Sequence, residues 1–271
     1  DYSSLKSVPY DGILTSMTTV QAIILGVVEG FTEFLPISST GHMILVSHFL
    51  HIIDSATLVT FEIVVQLGAI FAVVATYHKK LFKRDMMQKL LIAFIPTGIV
   101  GIVVFPYIKY LLGSPFLVAF MLVLGGIIIL LVEKRYSKLQ ALQANEITTI
   151  SYKHAFLLGL FQTLAIIPGV SRSGAMVVGG LLQNISRKVL IEFTFLLAVP
   201  TMIVATLYTI IKKYKDLSIE SLSPIIVGTV VSFFVALFVI RFALAYIRNH
   251  SFVIFGWYRI VIGIILLVVL W

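Results

Sequence analysis

Apolar residues run through this chain in long blocks, not in the alternating or one-faced patterns of a fold with a wet surface. Six blocks read as full spans, at about 58 to 77, 88 to 106, 115 to 132, 189 to 211, 224 to 247 and 252 to 271. Each approaches the roughly 20 residues that a helix needs to cross a hydrocarbon core. Two further stretches, near 20 to 50 and 154 to 184, are apolar overall but broken at their centres. The first break holds Pro36, Ser38, Ser39, Thr40 and Gly41; the second holds Pro168, Gly169, Ser171, Arg172, Ser173 and Gly174. Irregular backbone at membrane depth leaves N–H and C=O groups unpaired unless protein or a wet cavity surrounds it, so the breaks point to a site.

The two broken stretches also match each other. LGVVEGFTEFLPISSTG from Leu25 and LGLFQTLAIIPGVSRSG from Leu158 align without a gap. Glu29 meets Gln162, and Ser38 to Gly41 meet Ser171 to Gly174. Each is followed by three full spans, and an odd number of crossings per repeat reverses the sense of the second half. The expected fold is therefore all-α and integral to a membrane, with six transmembrane helices and two re-entrant helical hairpins in an inverted-topology repeat. Residues 1–17 form a polar tail, and 18–271 form one membrane domain with repeats at 20–133 and 152–271.

Composition narrows the partners. The 271 residues are 59% hydrophobic and 12% charged with a mean hydropathy of +1.07, so lipid must cover much of the surface. A net charge of +8 could suggest nucleic acid, but the basic residues sit in joints between spans, where the positive-inside rule accounts for them. Lys79, Lys80, Lys83, Arg84 and Lys89 fall on the same side as Lys134, Arg135, Lys138 and Lys153 if the broken stretches are re-entrant. That side is assigned to the cytoplasm, although the same topology places Lys212, Lys213 and Lys215 outside. With no cysteine, thiolate catalysis and thiolate metal sites are excluded.

The chemistry concentrates at the breaks. Glu29 and Glu33 lie one helical turn apart on one face. Two acids in lipid need a cationic partner, and an all-oxygen ligand set favours Mg2+ or Ca2+. Ser38, Ser39 and Thr40 precede a new apolar run as N-caps do, and the N–H groups of such a helix start bind anions. His42 lies one turn beyond Ser39, within reach of its hydroxyl or of a bound phosphate, and is read as a general base. Arg172, between Ser171 and Ser173, offers a bidentate partner for phosphate. The alternative is a salt bridge from Arg172 to Glu29 or Glu33, which would itself bring the breaks together.

Other polar positions say less. Glu62, Gln66, Gln162, Glu192 and Arg259 could support the site or pair with one another, and His48, His51 and His78 fall near membrane surfaces. Gly26 and Gly30 form a GxxxG that permits close helix packing.

GVVEGFTEFLPISSTGH and PGVSRSG resemble the two signature regions of the undecaprenyl-diphosphate phosphatase family, also called bacitracin-resistance proteins. The likeness continues through FEIVVQLG and EFTFLLAVP and covers nearly the whole membrane region. Met176 departs from it, at a position where a hydroxyl residue is commoner. A second group of lipid phosphatases, the phosphatidic-acid type, fits poorly, because the histidine expected about six residues after Arg172 is missing.

The resemblance implies hydrolysis of undecaprenyl diphosphate to undecaprenyl phosphate and inorganic phosphate, recycling the carrier for cell-wall polysaccharide synthesis. Glu29 and Glu33 would be the acidic metal-binding motif. Glu33, Ser39, His42 and Arg172 would act in catalysis, and Ser38, Thr40, Gly41, Ser171, Arg172, Ser173 and Gly174 would hold the diphosphate. The expected setting is the bacterial cytoplasmic membrane, with the site opening to the outer side, a prenyl diphosphate lipid as partner, and a homodimer allowed. The attacking group is Ser39 or a water. The competing class is a lipid transporter or flippase, since broken helices in inverted repeats are common there. All of this requires Glu29 and Glu33 to lie within roughly 15 Å of Arg172, close enough for one diphosphate and its ion to link them.

Overall fold

A computed structural model describes residues 17–52, 56–112, 114–141, 149–213, 219–247 and 249–269. Those residues form ten α-helices and no strand. The expected tail, apart from Met17, and Lys215 lie outside the described residues.

Each of the six expected spans is one continuous helix: α3 (Ala56–Leu81), α4 (Arg84–Leu112), α5 (Pro115–Ala141), α8 (Arg187–Lys213), α9 (Ile219–Ile247) and α10 (Val253–Val269). The first five are long and apolar enough to cross a membrane, and α10 is an apolar helix of 17 described residues. Their outward positions carry large apolar side chains such as Ile102, Val103, Phe234, Phe238 and Val268. This is the surface of a multi-pass membrane protein, whose helices have lipid as their outer neighbour.

The two broken stretches become helical hairpins. The first is α1 (Thr19–Thr32), a turn through Ile37, and α2 (Ser39–Phe49). The second is α6 (Tyr152–Thr163), a 3-10 turn at Leu164–Ile166, and α7 (Arg172–Leu182). Both first arms open on a capping box, Thr18 with Gln21 and Ser151 with His154, which satisfies the free N–H groups of the first turn. In the first hairpin Gln21 Nε2 also donates to the Leu50 carbonyl at 3.2 Å, tying its start to its end.

Correspondence between the halves extends to backbone strain. Ser38 and Ser171 both sit at φ 71° as the residues before α2 and α7, and His51 and Asn184 adopt φ 51° and 57° just after them. Non-glycine residues are uncommon at positive φ, so finding both pairs at aligned positions shows that the two breaks share a backbone path. Helix contacts correspond in the same way: α1 lies on α9 as α6 lies on α4, and α3 packs on α9 as α8 packs on α4.

Lipid provides no hydrophobic drive between apolar helices, so close backbone approach has to hold these contacts. Gly26 and Gly30 allow that, as expected: a Cβ at either would come within 2.6 Å of the carbonyl oxygen of Gly228 or Ser232 on α9. A Cβ at Gly159 would come closer still to the Ala93 carbonyl of α4. α3 and α8 meet at the centre, and α5 pairs with α10. The main apolar core runs from Phe34, Leu35 and Ile37 of the first break to Met176 and Val177 of α7 and Phe193 to Val199 of α8. Met176 is fully buried in that core, which gives the apolar side chain at this position a packing role.

Candidate active site

The first hairpin brings its chemistry to the end of α1 and the start of α2. Glu29, on the last turn of α1, is 1% exposed, and its Oε1 has no hydrogen-bond partner among the described residues. It interacts electrostatically with Glu33 and with Glu62 of α3, so three carboxyl groups share this region. Glu33, also buried, holds two partners. Its Oε2 accepts the Ser39 hydroxyl at 2.7 Å, and its Oε1 accepts Arg172 Nη2 at 3.0 Å.

Arg172 arrives from the other half of the chain. It is the first residue of α7 and only 8% exposed. Its Nε and Nη1 are buried without a partner among the described residues. A buried guanidinium with one donor satisfied is costly unless an anion takes the remaining N–H groups. Next to it Ser173 Oγ donates to the Leu35 carbonyl at 2.7 Å, a direct bond between the two breaks. Ser171 Oγ shares a hydrogen bond with Ser173 Oγ at 3.0 Å and caps α7 by accepting Gly174 N–H at 3.1 Å.

The N-termini of α2 and α7 thus meet at one place. Aligned peptide dipoles and free N–H groups make each favourable for negative charge. Ser39 and Thr40 are half-buried at the start of α2. Gly41 and Gly174 are small because of their neighbours: a Cβ at Gly41 would meet Leu122 Cδ1 at 2.8 Å, and one at Gly174 would meet Arg259 Nη1 at 3.1 Å.

Two residues have partners that spacing alone does not give. His42, read as a base within reach of Ser39 or of a bound phosphate, has Nδ1 2.8 Å from the Ser38 carbonyl and Nε2 2.8 Å from the Tyr258 hydroxyl. The Ser38 carbonyl also accepts the His42 N–H in the first turn of α2 at 3.4 Å. The group on the Ser39 hydroxyl is Glu33.

Arg259, read as supporting the site or pairing with a neighbour, is a bridge. It is fully buried on α10, where Nη1 donates to the Pro36 carbonyl at 3.3 Å, Nη2 to the carbonyls of Gly169 and Met121, both at 3.0 Å, and Nε to the Leu122 carbonyl at 3.4 Å. One cation therefore fixes a carbonyl from each break and two from α5. Gln162 and Glu192 make ties between helices: Gln162 donates to Thr97 and Thr201, and Lys80 pairs with Glu192.

Of the expected residues, Glu29, Glu33, Ser38, Ser39, Thr40, Gly41 and His42 come together with Ser171, Arg172, Ser173 and Gly174. Tyr258 and Arg259 complete the surroundings. The order of residues gave one signal for them: an arginine in an apolar helix requires partners, and Arg259 had none nearby in sequence.

Comparison with known proteins agrees with this geometry. The profile of the family described as bacitracin resistance protein BacA matches residues 22–265, from the first hairpin into α10. The undecaprenyl-diphosphatase of Sulfurihydrogenibium sp. (strain YO3AOP1) is 51% identical over 249 residues, covering 92% of this chain and 98% of the relative. That of Wolinella succinogenes is 49% identical over 252 residues, covering 93% and 98%. The protein of the same name from Aquifex aeolicus is 43% identical over 251 residues, covering 92% and 97%. With matches of this length spanning both hairpins and all the helices between them, the chain belongs to the bacitracin resistance protein BacA family.

Proposed function

We propose that this chain hydrolyses undecaprenyl diphosphate to undecaprenyl phosphate and inorganic phosphate, returning the lipid carrier to cell-wall polysaccharide synthesis. The observation that carries the reading is the half-satisfied Arg172: Nη2 donates to Glu33 at 3.0 Å, while Nε and Nη1 are buried without a partner among the described residues, where two helix N-termini meet. A phosphoryl group supplies acceptor oxygens for these remaining N–H donors. The relatives named above are diphosphatases, which favours hydrolysis over transport.

In this reading Arg172 and the N–H groups at the starts of α2 and α7 bind the terminal phosphoryl group and spread its developing charge. Ser171, Ser173 and Gly174 shape the α7 side, and Ser38, Thr40 and Gly41 the α2 side. Glu33 accepts the Ser39 proton through the hydrogen bond it already makes. The Ser39 oxygen then forms a bond to the terminal phosphorus as the bridging P–O bond breaks, and the lipid monophosphate leaves. Water releases phosphate from Ser39 in a second step. If water attacks the diphosphate directly, Glu33 is again placed to take the proton, with Ser39 orienting the nucleophile. Trapping of a phosphorylated Ser39 distinguishes the two.

A divalent ion, Mg2+ or Ca2+, suits the carboxylate side of the site. Glu29 Oε1 is a buried oxygen with no partner among the described residues, and Glu33 and Glu62 lie close by. Such an ion would be held by Glu29 and Glu33 and, when bound, would neutralise charge on the diphosphate. Among the described residues no group of three acids or histidines forms a complete cage, so water and substrate oxygens would fill its remaining positions.

The topology we favour has six crossing helices and two re-entrant hairpins, with 18–271 as one domain and repeats at 20–133 and 152–271. Supporting it are the corresponding contacts of the halves and the size of the hairpin arms. At 14 and 11 residues, α1 and α2 reach only about 21 and 16 Å, less than a bilayer core of about 30 Å. In the bacterial cytoplasmic membrane the site would open toward the outer side. Phosphate release from undecaprenyl diphosphate by the purified chain in detergent, where transport is impossible, tests the function. Activity in the wild type that is lost in Glu33→Gln and Arg172→Ala supports hydrolysis. No release from the pure wild type refutes it.

A further inference from the structure

Two adjacent residues of α10 hold the first break from the outside. Arg259 donates to the Pro36 carbonyl, and Tyr258 reaches the Ser38 carbonyl through His42. The direction of the second connection follows from its chemistry. A carbonyl oxygen only accepts, so the neutral imidazole carries its proton on Nδ1 and donates to Ser38. Nε2 is then the bare nitrogen and accepts the Tyr258 hydroxyl proton. The rings lie parallel, with an interplanar angle of 2° and centroids 5.5 Å apart.

The Ser38 carbonyl begins α2 and belongs to the peptide that continues into Ser39. Ser38 at φ 71° has no side-chain capping bond of its own, unlike Ser171, its counterpart in the second half. At Ser38 a side-chain bond to the backbone comes instead from the His42 imidazole, on its carbonyl. Tyr258 is 39% exposed, whereas His42 is buried. The phenol therefore stands at the outer edge of the network and orders what lies beneath it.

We propose that Tyr258 is a positioning residue for cleavage of the phosphate bond. With the Nδ1 proton already set by the Ser38 carbonyl, Tyr258 anchors the far side of the ring at Nε2 and so holds the imidazole in the direction in which Nδ1–H reaches that carbonyl; the bond orients the Ser38–Ser39 peptide and aims the Ser39 hydroxyl between Glu33 and the phosphoryl group. This rests on the assignment of Ser39, Glu33 and Arg172 as the hydrolytic site. It gives His42 a role other than that of base toward Ser39, and it makes the second half of the chain responsible for the geometry of the first.

The test is Tyr258→Phe, which removes one hydroxyl and keeps the ring. Positioning contacts of this kind are typically worth tenfold to a hundredfold in activity, so kcat for undecaprenyl diphosphate should fall by about that factor while KM stays within about twofold. In a His42→Gln background the same substitution should change kcat by less than about twofold, because Tyr258 acts only through the imidazole. An unchanged kcat in Tyr258→Phe overturns the proposal, and so does an equal loss in both backgrounds.

A readout independent of activity is the nitrogen-15 spectrum of histidine-labelled protein, with His42 identified by its absence in His42→Gln. The wild type should show Nδ1 protonated and hydrogen-bonded, and in Tyr258→Phe the Nδ1 resonance should shift toward that of a free N–H as the ring loses its anchor and its bond to the Ser38 carbonyl weakens. An Nδ1 resonance unchanged by the substitution refutes the role of Tyr258 while leaving hydrolysis intact. Wild-type phosphate release by Arg172→Ala would instead refute the site assignment, whatever the imidazole does.

Discussion

Gly125→Ala separates two expectations of opposite sign. Alanine is favoured over glycine inside a helix by about 1 kcal/mol, so on propensity alone the change stabilises α5. The structure predicts the reverse. A Cβ at this position would lie 2.9 Å from Arg259 Cζ and 3.2 Å from its Nε, with Nη2 closer still. A flexible arginine could swing away, but Arg259 is fully buried and held on the carbonyls of Pro36, Met121 and Gly169.

Displacing the guanidinium breaks the two Nη2 bonds, each worth about 1.5–3 kcal/mol for a charged donor. After the propensity gain the net loss is about 2–5 kcal/mol. Unfolding in detergent, followed by loss of helical signal with denaturant or heat, measures it. Phosphate release should fall with it, because Arg259 ties both breaks. A variant as stable as the wild type, or more so, with full activity refutes the claim that Arg259 holds the site together.

Other consequences can be checked in the same assay. Arg172→Lys keeps a charge but loses the planar fork, so kcat should fall at least about a hundredfold with the fold preserved, as for removal of a donor to a developing oxyanion. Glu29→Gln should weaken activation by Mg2+ or Ca2+ at least about tenfold, read from the metal concentration at half-maximal rate; an unchanged value places the ion elsewhere. Gly26→Val, with its Cβ 2.6 Å from the Gly228 carbonyl, should force α1 off α9 and lower stability by about 1–3 kcal/mol; an unaltered unfolding curve contradicts that packing.

Much of the fold is legible in the sequence because lipid leaves few alternatives. Each apolar block became a helix, and Pro36 and Pro168 with their serines marked the two departures from helical backbone. The internal match from Leu25 and Leu158 is repeated in the backbone, where Ser38 and Ser171 share φ 71°. The acids, the serines and Arg172 were recognisable because a charged residue in lipid requires a reason.

What escaped the sequence is the pairing across long separations. Nothing local says that His42 meets Tyr258, or that Arg259 reaches Pro36 and Gly169 at once. Spacing placed His42 within a turn of Ser39, but spacing does not give the direction of an imidazole. Its partners decide that: the Ser38 carbonyl on one side of the ring and the Tyr258 hydroxyl of α10 on the other.

The central claim is that Glu33 and Arg172, from opposite halves of the chain, form one catalytic unit. A double-substitution cycle with Glu33→Gln and Arg172→Lys tests it most directly, using single-turnover phosphate release with enzyme in excess so that slow rates remain readable. Residues acting as a unit are strongly non-additive. The double variant should therefore be about as slow as the slower single variant. Losses that simply multiply would mean that the two side chains act independently, and would contradict a shared phosphate pocket.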